Sequence, residues 1–107
     1  MTNAREVSLE VLTSCRKADA WVDGALKNAL ARADLSPRDA ALASRITYGV
    51  VQNRMLLDYY LDSLCKKGAK DLEPVIMDIL RIGACQILFM DKIPHSAAVN
   101  EAVSMAK

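Results

Sequence analysis

Apolar residues recur every three or four positions along almost the whole chain, which is the period of an amphipathic α-helix. No stretch shows sustained alternation of apolar and polar residues bounded by turn signals. Glycine (4) and proline (3) are sparse, so there are few points at which helices are broken. The sequence therefore predicts an all-α domain of about six helices joined by short loops.

The first predicted helix runs from about Asn3 to Lys17, with Asn3 as its N-cap. Its inward stripe is formed by Ala4, Val7, Val11, Cys15 and Ala18. The segment Asp19–Val22 is predicted to be a joint whose Trp21 side chain folds back onto the core. Asp23 is predicted to cap a second helix, which extends from about Gly24 to Ala33.

The clearest helix start in the sequence is the run of residues 36–39, SPRD. Ser36 is predicted to be the N-cap, and Pro37 suits the first helical position because it lacks a backbone N–H. Asp39 stands where a capping box has Glu or Gln. The third helix is expected to reach Gln52. Gly49 lies inside it at a cost of about 1 kcal/mol relative to alanine, which predicts close approach of another helix there.

Asn53 is predicted to bend or restart the chain before a fourth helix, which reaches about Cys65 and has Leu57, Tyr60, Leu61 and Leu64 in line. The fifth helix is predicted to be capped by Asp71 and to run from about Leu72 to Met90. Its stripe has nearly a/d spacing and consists of Val75, Ile76, Ile79, Leu80, Gly83, Ala84, Ile87 and Leu88. Because apolar residues also lie on its other sides, we expect a central helix packed by several neighbours.

The last predicted helix opens at His95 or Ser96 and reaches Lys107 without a C-cap signal. We therefore expect residues 1–107 to form one domain that is a C-terminally truncated fragment of a longer chain. The sequence has no apolar run long enough to span a membrane and no signal-peptide pattern, so a cytoplasmic location is expected.

The composition is that of a globular domain, with 52% apolar and 25% charged residues. The net charge is only +1, whereas a free-standing nucleic-acid-binding protein often carries a strong basic excess. Any RNA binding would therefore depend on local groups of basic residues or on a second domain.

Catalytic and metal-binding motifs are absent from the sequence. The three cysteines, Cys15, Cys65 and Cys85, have no CxxC spacing, and His95 is the single histidine. We interpret the cysteines as reduced core residues, since free cysteine is among the most buried residue types. There is no glycine-rich phosphate loop, GxSxG or HExxH. We expect no catalytic residue, no metal and no cofactor in this chain.

The polar residues that could carry a function are mostly basic and lie on the first helix, on the third helix and at its junction with the fourth: Arg5, Arg16, Lys17, Arg38, Arg45, Asn53 and Arg54. Two interpretations stay open, namely ordinary surface charge with capping, and contact with RNA phosphates. Tyr48, Tyr59 and Tyr60 fall within helical periodicity, so we interpret them as core or boundary residues rather than base-stacking platforms.

Several stretches resemble the NusB family. Residues 80–89, LRIGACQILF, and residues 93–103, IPHSAAVNEAV, are similar to the family pattern LRxGxYQLLF…IPxHAAxNEAV. Residues 39–43, DAALA, 48–51, YGVV, and 57–58, LD, resemble its third and fourth helices. Ala4-Arg5-Glu6 with Leu9 and Leu12 resembles its opening helix. The likeness covers essentially the whole chain. Cys85 stands where an aromatic residue is common, so a small core adjustment is expected there.

The resemblance implies an RNA-binding helical bundle in one of two settings. One is a stand-alone transcription antitermination factor. The other is the N-terminal domain of a bacterial 16S rRNA (cytosine-5)-methyltransferase of the RsmB type, whose separate catalytic domain binds S-adenosylmethionine. The methyltransferase setting is favoured by residues 48–54 and 93–103. It is also favoured by the start of the chain, which has only Arg5 where the antitermination factors usually have several arginines. A protein-interaction module with negligible RNA contact is a third alternative.

The partners implied are RNA, expected to be 16S rRNA, and a C-terminal methyltransferase domain of the same protein. The family fold continues past this chain by one or two helices. Their absence would expose apolar faces of the fifth and sixth helices, which predicts a homodimer or an exchange of helices between chains. No catalytic role is transferred to the three cysteines, because they match no catalytic cysteine motif.

Overall fold

A computed structural model of the chain describes residues 3–18, 21–64, 73–90 and 105. It contains five helices: α1 (Ala4–Ala18), α2 (Val22–Ala33), α3 (Pro37–Gln52), α4 (Arg54–Leu64) and α5 (Pro74–Phe89). No strand occurs within these ranges, which confirms the all-α prediction. The predicted sixth helix lies, apart from the helical Met105, outside the described residues.

The chain divides into two compact units, an N-terminal unit of residues 1–48 and a C-terminal unit of residues 49–107. Helix α3 contributes residues to both units. None of the helices that the structure describes is both long enough and apolar enough to cross a membrane.

The core of the N-terminal unit is built from small aliphatic side chains: Ala4, Val7, Val11, Leu26, Ala29 and Ala43. This confirms the inward stripe predicted for α1 at Ala4, Val7 and Val11, whereas Cys15 is only half-buried and packs against the edge of the core. The side chains of Lys17 and Ala18 and the whole of Cys65 lie outside the described residues.

Two hydroxyl groups are buried in this core between α1 and α3. The Ser8 hydroxyl donates to the carbonyl oxygen of Ala43 at 3.0 Å, and the Thr47 hydroxyl lies 2.8 Å from the same oxygen. The Thr47 and Ser8 hydroxyl oxygens are 3.0 Å apart. Each buried polar group therefore has a partner, as burial in an apolar core requires.

Two of the predicted helix starts are confirmed by their cap geometry. The Asn3 Oδ1 accepts a hydrogen bond from the Glu6 backbone N–H at 3.0 Å, and the Ser36 Oγ accepts one from the Asp39 N–H at 3.1 Å. Each such cap satisfies a backbone donor that the first helical turn leaves open, which contributes about 1 kcal/mol.

The start of α2 differs from the prediction. Helix α2 begins at Val22, and Trp21 rather than Asp23 is the N-cap residue, without a side-chain cap bond. Asp23 lies in the first turn, where its carboxylate accepts a hydrogen bond from the Tyr48 hydroxyl. The prediction that Trp21 folds onto the core is wrong, since its side chain is 87% exposed. Its backbone is extended (φ −70°, ψ 132°) and not helical. Its side chain therefore does not continue the inward face of α2 formed by Leu26 and Ala29.

In the C-terminal unit, α3, α4 and α5 bury Val50, Leu57, Leu61, Ile79, Ile82 and Cys85. The close approach predicted at Gly49 is confirmed, because a Cβ added there would lie 2.7 Å from the Cys85 sulfur. The α4 stripe is confirmed at Leu57 and Leu61. It is wrong at Tyr60, which remains 44% exposed because it lies at the flank of the helix.

Helix α5 begins two residues later than predicted. Glu73 is its N-cap residue and Pro74 occupies the first helical position, where the missing N–H of proline costs nothing. The predicted cap Asp71 lies outside the described residues.

The stripe predicted for α5 is confirmed at Ile79 and Gly83, which are buried, but other residues of the buried face differ from it. Asp78, Arg81 and Gln86 are buried on this face, whereas Val75, Ile87 and Leu88 are exposed by 36–40%. The prediction failed because it placed apolar residues alone inside, while in the structure the buried charges neutralise one another. In the last turn of α5, Phe89 is also exposed, by 42%.

Candidate functional site

Two of the basic residues selected from the sequence share a face of α1. Arg5 is half-buried in the first turn and Arg16 is exposed near the helix end. They are eleven residues apart, which is three turns, so the same side of the helix carries them about 16 Å apart along its axis. Lys17 follows directly, but its side chain lies outside the described residues.

A second pair lies on α3. Arg38 and Arg45 are both exposed and seven residues apart, which places them on one face about 10 Å apart. Ala43 and Thr47 contact Ser8 of α1 from the other side of α3. The α3 pair therefore faces away from α1, and the two arginine pairs do not form one continuous patch.

The last two candidates lie at the junction of α3 and α4 in the C-terminal unit. The Asn53 backbone N–H and its side-chain Nδ2 both donate to the Gly49 carbonyl oxygen, at 3.1 and 2.9 Å. Asn53 thus closes the end of α3, as predicted for a residue that restarts the chain. Arg54 is the first residue of α4 and is exposed.

Exposed aromatic side chains on α4 were missed by the sequence reasoning. Tyr59 is 71% exposed and packs edge to face against Tyr60, with ring centroids 6.2 Å apart. Interpreting Tyr59 and Tyr60 as core or boundary residues was therefore wrong, whereas Tyr48 is half-buried as expected. The spacing gave a usable signal, because Met55 and Tyr59 lie opposite Leu57 and Leu61 on the helical wheel.

Charged side chains of α4 and α5 form a network around the buried Arg81. The Arg81 Nε and Nη2 donate to the two carboxylate oxygens of Asp58 at 2.7 and 3.0 Å, and its Nη1 donates to Asp78 at 2.9 Å. Burial alone would lower the pKa of Arg81, but the hydrogen bonds and charges of Asp58 and Asp78 raise it above its ordinary value. The guanidinium is therefore a fixed charge that joins α4 to α5 and is occupied by its protein partners.

The two described cysteines have the character of inert thiols. Burial raises the pKa of both Cys15 and Cys85, which disfavours the nucleophilic thiolate. Among the residues in the described ranges, no cluster of His, Cys, Asp or Glu has the geometry to hold a metal ion.

Comparison with known proteins adds a family assignment. The NusB family model matches residues 2–107. The chain is 33% identical over 106 residues to a probable ribosomal RNA small subunit methyltransferase B of Bacillus subtilis, which covers 99% of this chain and 24% of that protein. It is 33% identical over 103 residues to a putative methyltransferase of Mycobacterium tuberculosis, covering 96% of this chain and 22% of that protein.

A second group of relatives is named differently. The transcription antitermination protein NusB of Clostridium novyi is 31% identical over 107 residues, which cover 97% of this chain and 80% of that protein. The chain thus spans about a quarter of the methyltransferase relatives and most of this NusB relative. Because the family model matches nearly every residue, the chain belongs to the NusB family.

Proposed function

We propose that this chain is the RNA-binding part of a bacterial methyltransferase that modifies 16S rRNA at cytosine C5. The chain would hold the rRNA while a separate C-terminal domain performs methyl transfer. The observation that carries this proposal is the likeness to methyltransferases over 99% of the chain.

The exposed arginines support a role in RNA binding. Arg38, Arg45 and Arg54 are exposed. The ion pairs among the described residues involve Arg32 and Arg81 instead. A guanidinium can donate two parallel hydrogen bonds to a phosphate, and it stays charged at any physiological pH. Each such group can contact an RNA phosphate without disturbing the core.

S-adenosylmethionine is assigned by this proposal to the catalytic domain. The described residues do not fit it, because they form helices without the sheet edge and glycine-rich turn that commonly hold a nucleotide-like cofactor. We therefore assign no step of methyl transfer to residues of this chain.

Fluorescence anisotropy with a labelled 16S rRNA fragment tests the RNA-binding role. Arg38→Ala, Arg45→Ala and Arg54→Ala should each weaken binding by a similar factor for every RNA sequence, because phosphate contacts carry no sequence information. Each should also make the slope of log K against log salt shallower by about 0.7, the value for one phosphate contact on a single strand.

Lys27→Ala is the matched control, since Lys27 is an exposed cation of α2 outside the candidate set. If Lys27→Ala weakened binding as strongly as the three arginine variants do, the affinity would depend on the overall positive charge and not on these three arginines. Unchanged affinity in all three arginine variants would remove these residues from the RNA interface.

A stand-alone antitermination factor is the second candidate, and the 31% identity to a NusB protein over 80% of that protein favours it. Sequencing the reading frame that encodes the chain separates the two. A methyltransferase domain in the same frame, with S-adenosylmethionine-dependent methylation of 16S rRNA, supports the first proposal. A frame without such a domain, together with activity in a transcription antitermination assay, supports the second.

A further inference from the structure

Trp21 is unusual both in its position at the start of α2 and in its exposure to solvent. It occupies the N-cap position of α2, where Ser, Thr, Asp or Asn would accept a backbone hydrogen bond, and it makes no such bond. Its indole is nevertheless 87% exposed, so the core gains nothing from it. A residue that violates local preference without a packing gain is a candidate for function.

An open pocket of about 500 Å³ lies beside Trp21, between α1 and α2. This volume is within the range of about 300–1,000 Å³ that small-molecule sites occupy. Apolar surface comes from Trp21 and the half-buried Ala25, and neutral hydrogen-bonding groups come from Ser14 and Asn28. The Glu10–Arg32 ion pair lies at the edge, where the two charges satisfy each other.

Gly24 keeps this pocket open. A Cβ added at Gly24 would have no atom within 4 Å, so close packing does not account for glycine at this helical position. Trp21, Gly24 and Asn28 follow one another at intervals of three and four residues and share one side of α2. A larger side chain at position 24 would extend into the space between the indole and the Asn28 amide.

We propose that this pocket binds an unpaired RNA base, with the base stacked on the Trp21 indole and its edge bonded by Asn28 and Ser14. This inference rests on the proposed function and adds that the ligand is single-stranded RNA. The Asn28 amide offers a donor and an acceptor, and the Ser14 hydroxyl offers both, which suits the edge of a neutral polar ring. Stacking on an aromatic side chain accepts any base.

Double-helical RNA does not fit this geometry. Its bases are stacked inside the helix and its deep major groove is closed to side chains, so proteins read RNA sequence mainly on unpaired bases.

The experiment compares a single-stranded RNA oligomer with an abasic oligomer of the same length and phosphate charge. Trp21 is the single tryptophan of the 107-residue chain, so its fluorescence reports on this site alone. We expect the base-containing oligomer to quench Trp21 emission and to bind on the order of tenfold more tightly than the abasic one, within the range for stacking of one base. The abasic oligomer should bind without quenching.

Three variants separate stacking from a structural role. Trp21→Phe keeps a ring and should retain most of the preference for the base-containing oligomer. Trp21→Ser should lose the preference while raising the melting temperature, because serine can cap α2. Gly24→Leu should lose the preference for the base-containing oligomer although Trp21 is still present. Tyr59→Ala on α4 is the control, and it should leave this preference unchanged.

The outcomes distinguish failure of this inference from failure of the proposed function. Equal, salt-dependent binding of both oligomers would overturn the base pocket and leave RNA binding intact. If Tyr59→Ala lost the preference for the base-containing oligomer and Trp21→Ser kept it, the stacking side chain would lie on α4. That result would also overturn the base pocket. Quenching of Trp21 by a protein partner and not by RNA would contradict it as well. Absence of any RNA binding at low salt would remove the proposed function itself.

Discussion

The two units of the chain bury polar groups in different ways. The N-terminal unit buries the neutral hydroxyls of Ser8 and Thr47, which share the Ala43 carbonyl oxygen. The C-terminal unit buries charges, with Asp78 and Arg81 at 4% and 8% exposure. Removing one hydroxyl costs a single hydrogen bond, whereas removing one member of the charged network leaves a charge in the core. The C-terminal unit should therefore be the more sensitive to single substitutions at its polar positions.

The two units also use a helical glycine differently. Gly49 of the C-terminal unit is pressed against the Cys85 sulfur, whereas Gly24 of the N-terminal unit faces empty space. The same substitution to alanine should consequently change the free energy of unfolding with opposite sign in the two units.

The largest effect is expected for Arg81→Ala. The carboxylates of Asp58 and Asp78 would then lose the guanidinium that bonds to both of them, which costs about 3–5 kcal/mol. Urea unfolding followed by circular dichroism measures this. Arg54→Ala on the exposed start of α4 is the matched control and should stay within about 0.5 kcal/mol of the wild type. A loss below about 1 kcal/mol in Arg81→Ala would show that water reaches the network readily.

Gly49→Ala should destabilise by about 2 kcal/mol, because overpacking a filled core costs more than the gain in helix propensity returns. The strain is placed at the Cys85 sulfur, so adding Cys85→Ala should relieve it. A double-mutant cycle from thermal or urea unfolding measures the coupling. Strict additivity of the two substitutions would contradict the contact.

Ser8→Ala should destabilise by about 1 kcal/mol, the net value of one hydrogen bond. The effect stays small because Thr47 still reaches the Ala43 carbonyl oxygen at 2.8 Å. The comparison of the two units fails if Ser8→Ala costs as much as Arg81→Ala in the same unfolding assay.

Gly24→Ala should raise the free energy of unfolding by about 0.5–1 kcal/mol, because alanine has the higher helix propensity and meets no neighbour at this site. Thermal unfolding detects this as an increase in melting temperature. A decrease would show that position 24 is more crowded than the structure indicates.

Local signals in the sequence were enough to place most helix boundaries. Ser36 and Pro37 define the start of α3 through a cap and a missing N–H, which are properties of adjacent residues alone. Asn3 does the same for α1. Gly49 was also interpreted correctly, because a costly glycine inside a helix needs a neighbour to explain it.

The failures concern groups whose environment is set by a different helix. Asp78 and Arg81 were not placed in the core, since a buried charge becomes acceptable only when Asp58 of α4 is close by. Trp21 was placed inside because of its hydrophobicity, although its position before the first helical residue leaves it in solvent. The start of α5 was placed too early because Pro74 was passed over as a start signal.

The central claim is that this NusB-family chain binds RNA through its own basic side chains. Titration of the chain with a labelled single-stranded RNA at several salt concentrations tests it most directly. If Arg38, Arg45 and Arg54 contact phosphates, log K should fall with log salt with a slope of about −2 or steeper, since each contact contributes about −0.7. A slope near zero, or no binding at low salt, would contradict the claim.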